Sequence, residues 1–91
     1  MLFPENVTLQ MRTTLFGKPG IKTLETEAKL TNLGEVTQFD LNLMNEDLRH
    51  KKFKIEEGCI IFHGENAYAC TENSFTTGRP HHIVAFAKPL N

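Results

Sequence analysis

The chain has 91 residues, 40% of them hydrophobic and 23% charged, with ten Lys/Arg against eleven Asp/Glu and a formal net charge of −1. That composition excludes intrinsic disorder and a generically polybasic protein, and the length leaves room for one domain over residues 1–91 without a second core. No run approaches the roughly 18 apolar residues of a membrane span, and residues 1–5 hold neither a cationic nor a long apolar segment, so a cytoplasmic location is expected and the Asn6-Val7-Thr8 glycosylation triplet is a chance match.

The dominant period along the chain is two, that of a strand. Val7-Thr8-Leu9-Gln10-Met11-Arg12 alternates apolar and polar residues and predicts the first strand. Phe16-Gly17-Lys18-Pro19-Gly20 reads as a loop, because proline lacks a donor and glycine permits unusual dihedrals. In residues 22–33, Leu24, Thr26, Ala28 and Leu30 share one strand face while Thr23, Glu25, Glu27, Lys29 and Thr31 share the other. Propensity also suits a helix there, but the small side chains at 26 and 28 leave a poor helical stripe, so a strand is predicted.

After Gly34, Phe39, Leu41 and Leu43 point one way and Gln38, Asp40 and Asn42 the other. Residues 45–52 are polar, a loop or a single helical turn opened by Asn45. Phe53-Lys54-Ile55 is expected as a short strand ending at Gly58, and residues 59–63 and 67–71 as a hairpin around Gly64-Glu65-Asn66. In that register Cys70 faces Ile60, which places Cys59 and Cys70 on opposite sheet faces, forbids a disulfide and leaves two free thiols. Thr77-Gly78-Arg79-Pro80 turns the chain into a last strand, residues 81–88, whose Ile83-Val84-Ala85-Phe86 implies burial on both faces. An all-β barrel or sandwich follows.

Catalytic signals are missing from the pattern. No Ser, Cys or Thr sits in a nucleophile elbow, and no Gly-rich phosphate loop follows a strand. The acidic pairs Glu46-Asp47 and Glu56-Glu57 fall in predicted loops, where adjacent carboxylates are solvated charge. Cys59, His63, Cys70, His81 and His82 have metal-ligand chemistry, but their spacing matches no zinc pattern, and Cys59 and His63 would stand about 13 Å apart along one strand. The reading is a binding protein, not an enzyme, with no metal and no cofactor.

Basic residues carry the functional signal. Arg49-His50-Lys51-Lys52-Phe53-Lys54 holds four of the ten cationic residues within six positions. Such a patch neutralises phosphates and releases counterions; balanced by Glu46, Asp47, Glu56 and Glu57, it is equally a solvated loop. Arg12, Lys18 and Lys22 flank the early loop and Arg79 tips the 77–80 turn, with Phe16 and Phe75 beside them and Tyr68 in mid-strand. Cations interleaved with aromatics on a β surface suit single-stranded nucleic acid, DNA or RNA, because phosphates need charge and unstacked bases need flat partners. The plainer alternative for any one Phe is that it closes a barrel end.

Ser74-Phe75-Thr76-Thr77-Gly78-Arg79-Pro80, followed by a strand ending Ala85-Phe86-Ala87-Lys88, resembles the end of the helix-destabilising proteins of filamentous bacteriophages. Phe16-Gly17-Lys18-Pro19, again followed by a strand, resembles their early DNA-binding loop. The resemblance covers about a third of the chain. It implies a five-stranded OB-like barrel, which with the six or seven short strands read from the pattern gives a small antiparallel OB-like barrel of five to seven short strands; it also implies a two-fold homodimer in the host cytoplasm and stoichiometric, cooperative, sequence-tolerant coating of single-stranded DNA during phage DNA replication. It also implies strand contacts at Lys18, Phe75 and Arg79; charge and aromatic placement add Arg12, Phe16, Lys22 and Tyr68. Two departures stand against the resemblance: Arg49, Lys51, Lys52 and Lys54 make a second basic patch with no counterpart in that family, and this chain has only Tyr68 where the family carries several exposed tyrosines. The competing reading is a protein-interaction module, such as a small phage or plasmid protein docking on a host protein, since a near-zero net charge suits a polar interface.

Overall fold

The alternation of apolar and polar residues is realised as six antiparallel strands in a computed structural model that describes residues 2–90. In chain order these are β1 (Glu5–Leu15), β2 (Lys18–Asn32), β3 (Thr37–Asn42), one short helix α1 (Glu46–Arg49), β4 (Ile60–His63), β5 (Asn66–Cys70) and β6 (His82–Leu90). The sheet runs β1-β2-β3-β6-β5-β4 and closes on itself, β4 returning to β1. Every apolar stripe predicted from period two therefore faces one interior, and the chain is all-β. Among the described residues no helix is long and apolar enough to cross a membrane.

Closure of so few strands leaves a narrow interior, and residue size decides how it fills. Phe39 and Leu41 on β3 point inward opposite Ala85 and Ile83 of β6, so a large ring meets a methyl group across the ladder. Phe39 also meets Tyr68 edge-on, with ring centroids 5.0 Å apart. Leu9 and Ile61, paired across β1 and β4, complete the fully buried centre. Strand β6 is covered on both faces as predicted: Phe75 pairs with Val84 outside the named strands, and its ring lies 5.7 Å from that of Phe86.

One end of the barrel is plugged by residues 45–55. The Asn45 side chain accepts a hydrogen bond from the Asp47 N–H at 3.0 Å, which caps α1. Leu48, Phe53 and Ile55 are buried beneath it. Phe53-Lys54-Ile55 alternates like a strand but has no strand partner; its neighbour is the loop at Ser74, whose N–H donates to the Ile55 carbonyl at 2.9 Å. The expected strand is thus an extended plug, because no sheet edge is left to pair with it.

Two boundaries differ from expectation. The loop expected at residues 16–20 is a two-residue turn, with Phe16 and Gly17 at φ 53° and 77°, the signature of a type I′ hairpin. Pro19 and Gly20 belong to β2, and Pro19 opposes Thr14. The Leu15–Lys18 pair closing such a turn exchanges hydrogen bonds, so the donor that Pro19 lacks would face away from β1, where no strand pairs it. Since β4 meets β1 only at Thr8–Gln10 and β3 meets β2 only from Ala28 onward, residues 11–22 project as a two-stranded wing. Strands β1 and β2 are longer than predicted for this reason.

The second difference is a register. The β4–β5 turn uses Gly64 and Glu65 alone, and His63 opposes Asn66. Gly64 has φ 59° at the first central position, as a type II′ turn requires. This moves the pairing by one residue from the expected one. Cys70 donates its N–H to the Cys59 carbonyl at 2.8 Å, and the Gly58 N–H donates to the Cys70 carbonyl at 2.9 Å. With Gly58 at φ 90°, Gly58 and Cys59 together oppose Cys70 as a G1 bulge. Both cysteines therefore lie inside the barrel and face each other, contrary to the expectation of opposite faces. A one-residue slip moves every side chain to the other face.

Candidate nucleic-acid interface

The wing and the plug meet in a cleft. Met11, Arg12, Thr13 and Lys22 line it from the wing, and Lys51, Lys52, Phe53, Lys54 and Glu56 from the plug. Its volume is about 280 Å3, suited to admitting phosphate groups and small for enclosing an organic ligand. Two segments distant in sequence thus bring Lys22, Lys51, Lys52 and Lys54 to one place beside one lining carboxylate, Glu56, with Arg12, paired with Ile21 and so on the wing's other face, at the margin. Among the described residues the one ion pair within 4.0 Å is His63–Glu5 at 3.2 Å, at the far end of β1 and β4, so none of the five cations is paired that closely.

Local structure explains each placement. Phe53 and Ile55 turn inward, which sends Lys52 and Lys54 out to solvent. The Lys22 ammonium donates to the Lys52 carbonyl and lies 5.9 Å from the centroid of the Phe53 ring, a cation–π contact that ties the wing to the plug. Lys51 follows the C-cap of α1: its N–H reaches the Leu48 carbonyl at 3.2 Å and that of Lys52 reaches Asp47 at 2.9 Å, a Schellman closure. That closure puts its middle residue in the left-handed region, and Lys51 has φ 58° where glycine is usual.

A left-handed conformation costs a side chain about 1–2 kcal/mol, of which glycine's greater freedom when unfolded takes back roughly 0.5–1. Lys51→Gly should therefore raise stability by up to about 1 kcal/mol, or about 4–8 °C in thermal midpoint, and, if the cleft takes phosphate groups, lower affinity for an oligonucleotide. A melting curve and an oligonucleotide titration on the same sample check this; loss or gain of both together rejects the role given to the Lys51 side chain.

A second cleft adjoins the first on the other side of the plug. It shares Lys51, Phe53, Lys54 and Glu56, and its far wall is Asn73, Ser74 and Ile83. The cationic surface thus continues toward the loop that carries Phe75 and Arg79. Neither Phe75 nor Arg79 lines the clefts; Phe75 is partly exposed against Phe86, and Arg79 is exposed in its turn. Phe16 stands at the wing tip, 93% exposed, and Lys18 is exposed beside it, on the wing face shared with Met11 and Lys22. Arg49 is turned toward His50, 3.3 Å away, and lines neither cleft. Tyr68 is half-buried, its ring packed on Phe39, so it is part of the interior rather than an open platform.

Glu56 lines both clefts, whereas the sheet carboxylates Asp40, Glu25 and Glu27 are set apart from this surface. Asp40 is buried and accepts from the Gln38 amide at 3.2 and 3.3 Å. Glu25 and Glu27 oppose Thr8 and Asn6 on the barrel portion of β2, beyond the wing. Among the candidate metal ligands, His63 pairs with Glu5, His82 is buried against the Phe3 ring, and both cysteines lie in the core. Among the described residues no three His, Cys, Asp or Glu side chains gather as a metal would need. Phe53, the cleft floor, is a site residue that composition alone does not point to; its signal in the sequence is the alternation of apolar Phe53 and Ile55 with Lys52 and Lys54. Compared with known proteins, the chain matches no family model, no curated protein and no solved structure.

Proposed function

We propose that the protein binds single-stranded nucleic acid without sequence preference, laying the phosphate backbone in the cleft of Arg12, Lys22, Lys51, Lys52 and Lys54. The observation that carries this reading is the convergence of Lys22, Lys51, Lys52 and Lys54 from two distant segments, with Arg12 at the margin and, among the described residues, no ion pair within 4.0 Å to any of the five. Phe16 on the wing and Phe75 on the neighbouring loop offer rings to unstacked bases, each stacked base contributing roughly 1–3 kcal/mol. Lys18 and Arg79 extend the charge at the two ends. The resemblance to filamentous-phage helix-destabilising proteins adds a two-fold dimer and DNA as the strand, which sedimentation of the protein with and without oligonucleotide addresses.

The test is a titration of a labelled, unstructured oligonucleotide by anisotropy at several salt concentrations. About five phosphate contacts on a single strand predict a log–log slope of about −3.5. Binding that ignores salt rejects the reading. The second reading, docking on a protein, draws on the exposed Leu15, Phe16 and Ile21 of the wing, apolar side chains that a partner would cover. It predicts no oligonucleotide affinity at any salt and retention of a host protein after nuclease treatment.

A further inference from the structure

The facing thiols of Cys59 and Cys70 are unused by the reading above. They are the only two cysteines in the chain, both free and both buried, and they oppose each other across the β4–β5 ladder at the G1 bulge. Directly opposed residues in an antiparallel pair have Cα atoms about 4.5–5.5 Å apart, inside the range of about 4.4–6.8 Å that a disulfide spans. Both side chains are buried on the inner face of the barrel, on opposing residues of the hairpin.

We propose that Cys59 and Cys70 form a redox modification site: a dithiol that closes to an intramolecular disulfide across the hairpin when it meets a low-molecular-weight disulfide. Cys59 is the attacking sulfur. A hydrogen bond from Cys70 lowers its pKa, helped by the Gln10 backbone and opposed by burial. Cys70, as the donor of that bond and desolvated, is pushed well above the ordinary thiol range and keeps its proton until the second step. The Cys59 thiolate attacks one sulfur of the reagent; the reagent's S–S bond breaks, and one thiolate leaves. Cys70 gives up its proton and attacks Cys59 in the mixed disulfide, and the second thiolate leaves. The two protein thiols are oxidised, the reagent is reduced to two thiols, and the two protein protons end on them.

Access comes from the exposed turn at Glu56, Glu57 and Gly58, which leads straight into Cys59 and also forms a wall of an opening beside Arg12. Opening of that turn alone is what the reaction requires, so oxidation is expected to be slow and complete. Once formed, the bridge closes a short loop and restricts the unfolded chain. The inference does not depend on what the protein binds.

The experiment equilibrates the intact protein with oxidised glutathione at neutral pH. Expected are a mass lower by two hydrogens, no thiol left to alkylate after denaturation, an unchanged monomer mass on a non-reducing gel, and a thermal midpoint about 8 °C or more higher, reversed by dithiothreitol. With only two cysteines, the mass assigns the bridge without any variant. Cys59→Ala and Cys70→Ala should each abolish the mass loss. Two alkylatable thiols at equilibrium, a persistent glutathione adduct, a bridge between chains, or a cross-linked form that melts lower would each overturn the proposal.

Discussion

Replacing Lys52 and Lys54 together by alanine is expected to weaken oligonucleotide binding by roughly 60-fold at about 50 mM salt, but by only about three-fold at about 0.5 M. Each ammonium that neutralises a phosphate on a single strand contributes about 0.7 to the log–log salt slope, so losing two flattens the slope by about 1.4 and the curves of parent and variant converge as salt rises. Both lysines alternate with the buried Phe53 and Ile55 and point to solvent, so the plug's packing is retained. The Lys52 carbonyl that accepts from Lys22 belongs to the backbone and survives the change. Stability should stay within about 0.5 kcal/mol of the parent. An equal loss at both salt concentrations would mean that these cations act by some route other than phosphate neutralisation, and no loss at all would remove the cleft as the interface.

Phe39→Ala should destabilise the fold by about 3–5 kcal/mol, most of the margin available to a domain this small. Phe39 is fully buried, lies edge-on to Tyr68 and is paired with Leu30 on β2 and Ala85 on β6. The facing alanine cannot grow into the space, and the closed sheet cannot collapse around it, so the cavity persists. Urea unfolding followed by far-ultraviolet circular dichroism measures the change. Phe16→Ala is the paired control: the same side chain removed from a 93% exposed wing tip should alter stability by less than about 0.5 kcal/mol. A small effect at Phe39 would contradict the closed interior; a large one at Phe16 would mean that the wing tip packs against something.

Strand positions and their inward faces were legible wherever one face is apolar and the other polar. Leu24, Thr26, Ala28 and Leu30 all turn inward as period two demands, and so do Phe39 and Leu41. The helix start at Asn45 was legible because an amide side chain before a polar turn satisfies an orphan N–H. The extent of the wing was not, since Pro19 and Gly20 carry loop chemistry and are tolerated in β2 only because that strand has no partner on its outer side there. The Phe53–Ile55 segment kept its burial pattern but lost its strand, because pairing depends on which edges remain free after closure.

The candidate site divides in the same way. Each cation was visible in the amino-acid order, as two separate groups around residues 12–22 and 49–54. Their meeting was not visible, because it depends on the wing leaning over a plug some thirty residues away, held there by Lys22 on the Lys52 carbonyl and the Phe53 ring. Tyr68 shows the limit from the other side: a mid-strand tyrosine has the composition of a stacking platform, and the T-shaped contact with Phe39 turns it into packing.

The order of residues was enough to specify an all-β chain with its inside and outside assigned, because side-chain alternation is a local property read directly from neighbours. Folding in three dimensions settled the matters that turn on a single residue of register or on long-range contact. A two-residue turn at Gly64–Glu65 in place of a three-residue one brings Cys59 and Cys70 face to face, and closure of the sheet brings Arg12 and Lys22 to Lys51, Lys52 and Lys54. Neither outcome is encoded in local period: both register choices keep the same alternation, and only the fit of the whole barrel distinguishes between them.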